Sequence, residues 1–519
     1  MSDIAWFGTC AAIAVLVALF ARHRGWGMAL PVLLAGALVS LQPVGPSAPV
    51  NPEVVLIVVL APLVFGEALG SSYLDLRKVS RPVLALAIGL VLATTLIVGV
   101  VVASLTTIPL ALAFALGAIL APTDAVAVSS VARKAGLPRR LISILEGESL
   151  VNDGTGLTLL RVATVATMAG SVTWLDSLTT FTVAVVGGVG VGLAGGWTLS
   201  WIADRSRDAI AANGLVLVAP FGIYLVAEEV HGSGILAVVV AGLMLAHVQT
   251  SGLAPSARLQ SVLVWRHLTF LLQAFAFFLV GMELTDTLKS LDGDELSRLL
   301  PLTLGVTALL IVTRLVFVSG MFLPRGGRSN RHRLRSIAIL SWAGARGPVS
   351  GLAAFSLPAV MVLPLAEDHR DLVLAITFCV ILITLLLSMT LAPLARWLGI
   401  RSDDDSSREQ QIEQALAYAA LGRLEAIAQQ AVLDGAPLPE AITEPLRART
   451  LERLASAQEE GAVVAAGSAD VAKQVRLEML MAEQEELLRI RDEEGLPDAI
   501  VRPVQLRLDR RALAIDPNR

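Results

Sequence analysis

Residues 144–157 read ILEGESLVNDGTGL, with apolar sequence on both sides. Glu146, Glu148 and Asp153 are carboxylates, Asn152 is an amide, and Ser149 sits among them. An ionised group at the centre of a bilayer costs about 2.5–3.5 kcal/mol on insertion scales. Such groups therefore face a protein interior or a watery path. At helical spacing Glu146, Ser149 and Asp153 share one face (i, i+3, i+7), and Glu148 and Asn152 share the adjoining face (i, i+4). Two neighbouring polar faces on one apolar helix point to chemistry. Pairing with a base explains one glutamate structurally; it does not explain the whole set.

The surrounding chain makes this stretch part of a membrane helix. The 519 residues are 55% hydrophobic with a mean hydropathy of +0.72, which excludes an ordinary soluble domain. Apolar runs of about 20 residues, the length that crosses a bilayer, recur from Ile4 to Leu398. The expected fold is all-α and polytopic, with about thirteen spans. They fall near 4–21, 27–42, 53–70, 82–105, 109–128, 140–168, 174–203, 212–228, 233–248, 263–284, 298–322, 334–356 and 370–399. The first is read as a span and not a cleaved signal, because no basic segment precedes it.

From Arg401 the composition turns charged, so the chain divides into a transmembrane domain, 1–400, and a cytoplasmic helical C-terminal domain, 401–519. Helices are expected there at 406–433 and 467–494, stopped by Gly435-Ala436-Pro437 and Gly495-Leu496-Pro497. A net charge of -4 is too small to imply a nucleic-acid partner. Cys10 and Cys379 lie in apolar runs, so no disulfide framework is expected.

Lysine and arginine mark the cytoplasmic side of a membrane protein. Alternate loops carry Arg22 and Arg24; Arg77, Lys78 and Arg81; Arg133, Lys134, Arg139 and Arg140; Arg205 and Arg207; Arg258; and a cluster from Arg325 to Arg335. The intervening loops hold only Lys289, Arg298 and Arg370. The N-terminus is therefore expected outside and the C-terminus in the cytoplasm.

Three further stretches put polar residues inside apolar runs. In LAPTDAVAV (120–128), Pro122 removes a backbone donor beside Thr123 and Asp124. Freed carbonyls and the Thr hydroxyl of a locally unwound helix suit a cation. A simple kink with Asp124 near the interface is the plainer alternative. Arg314 lies deep in LLIVTRLVFV (309–318) and reads as half of a structural ion pair. In SWAGARGPVSGLAA (341–354), Gly344, Arg346, Gly347 and Pro348 signal a second broken helix, seven spans after the first. Spans an odd number apart run in opposite directions. Two opposed broken helices fit an inverted repeat of six plus six, whose interruptions mark a transporter's binding site.

These residues resemble the bacterial sodium/proton exchangers of the monovalent cation:proton antiporter-1 family. EGESLVNDGTGL (146–157) looks like its Asn-Asp signature and APTDAVAV (121–128) like its Thr-Asp segment. LAPLVFGEAL (60–69) is similar to its third-helix motif, with Ala61 and Gly66 departing from the commonest form. HGSGILAVVVAGL (231–243), FFLVGMEL (277–284) and SWAGARGPVSGLA (341–353) also match, in order along nearly the whole membrane domain. The tail stretch EELLRIRDEEGLPDAIVRPVQLRLD (485–509) is similar to the end of some long bacterial members.

The resemblance implies that Asp153 binds either Na+ or H+, with oxygen ligands from Thr123 and Ser149. Asp124 would stabilise the crossing of the broken helices, and Glu148 would pair with Arg314. Asn152 would stand where electrogenic relatives carry a second Asp. Arg346 would be a conformational or pH-related residue, and Glu146 receives no role. It further implies a homodimer in the bacterial inner membrane, serving pH and sodium homeostasis, with ions as substrates and no cofactor.

One carboxylate that holds Na+ or H+, but not both, produces exchange if the empty charged site cannot cross the membrane. With Asn152 unable to titrate and Glu148 neutralised, the expected exchange is electroneutral. K+ is an alternative substrate. A less favoured reading is an intramembrane aspartyl protease with Asp124 and Asp153 as a dyad, although its Gly-x-Gly-Asp pattern is absent. A channel is a third; it predicts flux without a counter-ion.

Overall fold

The computed structural model describes residues 3–42, 52–124, 137–169, 174–205, 208–252, 255–322, 330–357, 369–400, 405–455, 469–494 and 496–515. Helices dominate, and no strand occurs among the described residues. The chain forms two compact units. The first is Met1–Trp201, Leu215–Ala246 and Val264–Ser402; the second is Ile202–Gly214, His247–Leu263 and Asp403–Arg519.

The apolar helices run in order as α1 (Asp3–His23), α2 (Ala29–Ser40), α3 (52–70), the short α4 (Tyr73–Lys78), α5 (80–105) and α6 (Leu110–Leu120). Then come α7 (Arg139–Ala169), α8 (Trp174–Arg205), α9 (Ala209–Glu229), α10 (Gly234–Gly252), α11 (Pro255–Ser290) and α12 (Gly293–Phe322). The series closes with α13 (Asn330–Trp342), α14 (Pro348–Ala354), α15 (Arg370–Ser388) and α16 (Leu391–Trp397). Among the described residues eight helices are long and apolar enough to cross a membrane, and shorter apolar helices accompany them.

Within the first unit the helices sort by what surrounds them. α6 and α15 are buried on almost every side, with Leu112, Leu116, Ile119 and Leu120 of α6 packed near Phe378 of α15 and Phe278 of α11. α8 and α9 instead turn Val186, Trp197 and Val218 outward, each more than 60% exposed. Apolar side chains on an outer face are the signature of lipid as solvent. α3 widens into a π-helical stretch at Leu56–Leu60, just before Pro62, which lacks the amide that would close the α-turn there.

Two spans break where the sequence signals an interruption, at Pro122 and at Gly344–Pro348, and a third breaks where it signals none. The span expected at 109–128 ends as helix at Leu120, and its last four residues lie outside the described set. The span expected at 334–356 is two helices, α13 and α14, with Ala343–Gly347 between them. The last span is interrupted at Met389 and Thr390.

The second unit contains four tail helices, two more than expected: α17 (Asp405–Leu433), α18 (Glu440–Ala455), α19 (Ala469–Glu494) and α20 (Asp498–Ile515). Pro445 and Pro503 mask α18 and α20 as helices. Each lies in the second turn, where it leaves only one early carbonyl without its amide. Helical spacing then buries Ile500, Val504, Leu508 and Ala512 of α20 against Leu416 and Leu487. The stop at Gly435 follows from its φ of +75°, a conformation glycine adopts without strain.

Charges inside this unit are paired. Glu483 is buried and accepts hydrogen bonds from Arg453 at 2.7 Å and Arg511 at 3.3 Å. Burial pushes its carboxyl up from the ordinary Glu value while the two guanidiniums pull it back. Asp509 is fully buried and is gripped by Arg258 of α11 through Nε at 2.9 Å and Nη2 at 2.6 Å. Asn213 also donates to the Ala257 carbonyl at 3.2 Å. The second unit thus joins the tail helices to the ends of α8, α9, α10 and α11. Replacing Asp509 with Ala removes both of its charge-assisted hydrogen bonds to Arg258 from a pair that is 13% and 0% exposed, and should cost about 3–5 kcal/mol. Limited proteolysis of the full-length chain should then cut within 405–515 at protease levels that spare the wild type.

Candidate functional site

The two non-helical segments of the first unit meet. After α6 ends, Ala121 makes a last helical bond to the Gly117 carbonyl and Pro122 to Asp124 are non-helical; between α13 and α14, Ala343 makes a last helical bond to the Ile339 carbonyl and Gly344 to Gly347 are non-helical. The Asp124 amide donates to the Ala345 carbonyl at 2.8 Å. The Arg346 guanidinium donates through Nε to the Leu120 carbonyl at 2.8 Å and through Nη1 to the Gly344 carbonyl. Its amide donates to the Thr384 hydroxyl at 3.2 Å. Arg346, 3% exposed, therefore brings positive charge to the carbonyl end of α6, where the helix dipole is negative. Gly347 is required at the crossing, because a β-carbon there would lie 2.5 Å from the Asp124 side chain.

α7 passes this crossing as a continuous helix. Gly156 lets it approach: a β-carbon there would fall 2.4 Å from the Pro122 ring. Glu148, Ser149, Asn152 and Asp153 are all at most 4% exposed, and Glu146 is half-buried. Glu148 forms a two-pronged pair with Arg314 of α12, through Nη2 to Oε2 at 2.8 Å and through Nη1 to Oε1. Arg314 Nε donates to the Leu340 carbonyl at 2.8 Å, tying the pair to α13. The Thr123 hydroxyl donates to Glu148 Oε1 at 3.1 Å and accepts from Asn152 Nδ2 at 3.1 Å. Asn152, Thr123, Glu148 and Arg314 thus form one chain of polar contacts across three elements.

Asp153 stands apart from that chain. Among the described residues no hydrogen bond or ion pair reaches its carboxylate, although it is only 4% exposed. Its charged neighbours are two more carboxylates, Glu67 and Asp124. A bare anion in such a setting is costly, and a bound cation or proton removes the cost. The side-chain amide oxygen of Asn152 is also buried, with no hydrogen-bond partner among the described residues. It and the second lone pair of the Thr123 carbonyl are neutral oxygens of the kind a monovalent cation takes. No group of three His, Cys, Asp or Glu side chains spaced for a chelated metal occurs among the described residues.

Glu67 of α3 was absent from the residues singled out for chemistry. It accepts a hydrogen bond from Gln273 of α11 at 3.2 Å and interacts with Asp124 and Asp153. The signal was present: a carboxylate in the apolar run LAPLVFGEAL. Its isolation from the other polar clusters concealed its role, since only packing brings α3 to α7.

A membrane-embedded helical protein with two crossed chain breaks beside an unpaired buried carboxylate has the make-up of a secondary transporter. The chain belongs to the sodium/hydrogen exchanger family, whose transmembrane region matches residues 11–397. It is 31% identical to an uncharacterised Na+/H+ exchanger of Mycobacterium tuberculosis, over 96% of this chain and 93% of that one. It is 32% identical to a sodium, potassium, lithium and rubidium/H+ antiporter of Bacillus pumilus, over 74% of this chain and 60% of that one. In fold it is similar to the sodium proton antiporter MjNhaP1 of Methanocaldococcus jannaschii, with a TM-score of 0.61, 19% identity, and coverage of 76% of this chain and 98% of that one. The protein is thus a multi-pass cation/proton antiporter whose substrates are ions, and the protease reading is set aside.

The Glu148–Arg314 pair yields a structural prediction. Arg314→Ala leaves Glu148 buried and unpaired, which should cost about 3–5 kcal/mol. Thermal unfolding in detergent should show a lower midpoint for Arg314→Ala and for Glu148→Gln. An unchanged midpoint with full transport activity would rule out the structural role.

Proposed function

We propose that the protein exchanges cytoplasmic Na+ (or Li+) for external H+, one for one, with Asp153 carrying either ion by alternating access. The observation that carries this reading is the buried Asp153 carboxylate, which has neither base nor hydrogen-bond donor beside it among the described residues. Ser149, Thr123 and Asn152 complete the ion's surroundings with neutral oxygens, and Asp124 acts at the crossing. Glu148 and Arg314 are structural. Arg346 holds the ends of the broken helices together and so bears on the conformational change.

Electroneutral exchange follows from the number of titrating groups. Asn152 cannot take a proton, and the Glu148 charge is matched by Arg314. One-for-one exchange also requires Glu67 and Asp124 to keep one protonation state through the cycle. The Gln273 hydrogen bond gives Glu67 a fixed partner for that purpose.

The domain division belongs to the same reading: residues 1–400 transport and 401–519 form a cytoplasmic helical domain. The lysine and arginine bias of alternate loops supports an outside N-terminus and a cytoplasmic C-terminus in a bacterial inner membrane. Thirteen spans in an inverted six-plus-six repeat, a homodimer, and a role in pH and sodium homeostasis complete it. K+/H+ exchange is the second reading. It is favoured by the name of the Bacillus pumilus relative, which includes potassium and rubidium.

Proton flux in proteoliposomes, with Na+, Li+, K+ and Rb+ in turn, separates the readings. Na+ and Li+ should drive flux most strongly; a stronger response to K+ would favour the second. Asp153→Asn should abolish cation-driven flux, and persistent flux would exclude Asp153 as the carrier. The wild-type rate should be insensitive to an imposed membrane potential, and a strong response would overturn one-for-one exchange.

A further inference from the structure

α7 carries a second ion pair, between Arg161 and Glu228 of α9, and its setting differs from that of Glu148 and Arg314. Glu148 and Arg314 are 2% and 3% exposed, so parting them strands two buried charges. Arg161 and Glu228 meet at 3.1 Å with side chains 36% and 38% exposed. Water reaches both partners, and a pair of that kind is held weakly. Of the two pairs, this is the one that can open and close.

Helical spacing sets the pairs on opposite flanks of α7. Glu148 and Asn152 share the flank that reaches Thr123 and Arg314. Leu150, Gly154, Leu157 and Arg161 (i, i+4, i+7, i+11) share the other. Leu150 and Leu157 pack there with Tyr224 of α9 and Ile235 of α10. Gly154 approaches so closely that a β-carbon would lie 3.2 Å from Leu236 of α10. Asp153 falls between the two flanks, beside the Gly154 contact. Arg161 lies about 12 Å further along the helix, toward the side that the loop charges place outside.

The partner side is fixed. The Gly232 amide donates to the Ala227 carbonyl at 2.8 Å, and the Ser233 amide donates to the Ala184 carbonyl of α8 at 2.8 Å. A β-carbon on Gly232 would lie 2.7 Å from the Gly187 backbone of α8. Onto this pinned turn Arg161 donates twice through Nη1, to Glu228 Oε2 at 3.1 Å and to the Gly232 carbonyl at 3.2 Å. Glu228 Oε1 accepts from the Gly234 amide at 3.1 Å, at the start of α10. Since the turn is tied to α8, any parting of α7 from it requires Arg161 to let go.

We propose that Arg161 and Glu228 form the external latch of the exchange cycle. Joined, they hold α7 against the α9–α10 turn and close the path from outside; parted, they open that flank. The latch rests on the reading of Asp153 as carrier, and neither residue holds the transported ion.

The test places a thiol on the closed flank. Intact cells producing the full-length chain with Leu157→Cys and Cys379→Ser are treated with a membrane-impermeant maleimide, and labelling is read by mass spectrometry. Arg161→Ala and Glu228→Gln should each speed labelling of that thiol about two- to fivefold, the shift that a weak exposed pair can impose. Cys10, 2% exposed, should stay unlabelled. Glu228→Gln keeps an acceptor for the Gly234 amide, so it separates the latch from the helix cap. In a chain lacking both native cysteines, Arg161→Cys and Glu228→Cys joined by a cleavable bismaleimide should lose cation-driven proton flux in proteoliposomes and regain it when the linker is cut. Unchanged labelling in the folded variants overturns the latch, as does full flux through the cross-linked protein. Labelling of Cys10 in parallel reports general loosening and overturns it too. If Arg161→Ala does not fold, Glu228→Gln and the cross-link decide. Flux that persists in Asp153→Asn yet stops on cross-linking would fault the carrier and not the latch.

Discussion

A bilayer interior offers no water to a free amide or carbonyl, and the crossing of residues 121–124 with 343–347 is where this protein meets that constraint. Breaking a helix inside the first unit frees backbone groups on both strands. They are satisfied by each other, in the Asp124 to Ala345 bond, and by one guanidinium, Arg346, which serves the Leu120 and Gly344 carbonyls. Gly347 permits the approach, and Gly156 of α7 permits a third element to close on Pro122. Thr123, Glu148, Asn152 and Arg314 are linked in one chain of polar contacts beside this point.

Three carboxylates beside the crossing meet different environments, and the differences divide their work. Glu148 has a bidentate base and a threonine hydroxyl; it is an anchor. Glu67 has an amide donor. Asp153 has neither, so its anionic form is the least supported of the three. Exchange needs one group whose charged form is poorly served by the protein, so that an ion from outside must serve it. The neighbours of that group must be held firmly enough that they do not trade ions too.

Residue type and spacing made much of this legible. Hydropathy showed a polytopic helical membrane protein, and the paired interruptions at Pro122 and at Gly344–Pro348 marked both breaks, because proline and glycine act locally on the backbone. Other features were hidden for equally physical reasons. Pro445 and Pro503 concealed two amphipathic tail helices, since a proline in an early turn disturbs little. The participation of Glu67 depends on how α3 packs, and no local pattern encodes that.

The sequence by itself determined that the chain crosses a membrane, that it breaks two helices there, and which polar side chains have no apolar reason to be present. These are properties of single residues and their near neighbours, set by transfer energy and backbone sterics. Only the tertiary structure decided which of those groups are partnered. Glu148 and Arg314 are 166 residues apart, and Arg258 and Asp509 are 251 apart. Whether a buried charge is neutralised depends on contacts within a few ångströms, and spacing along the chain carries no such information.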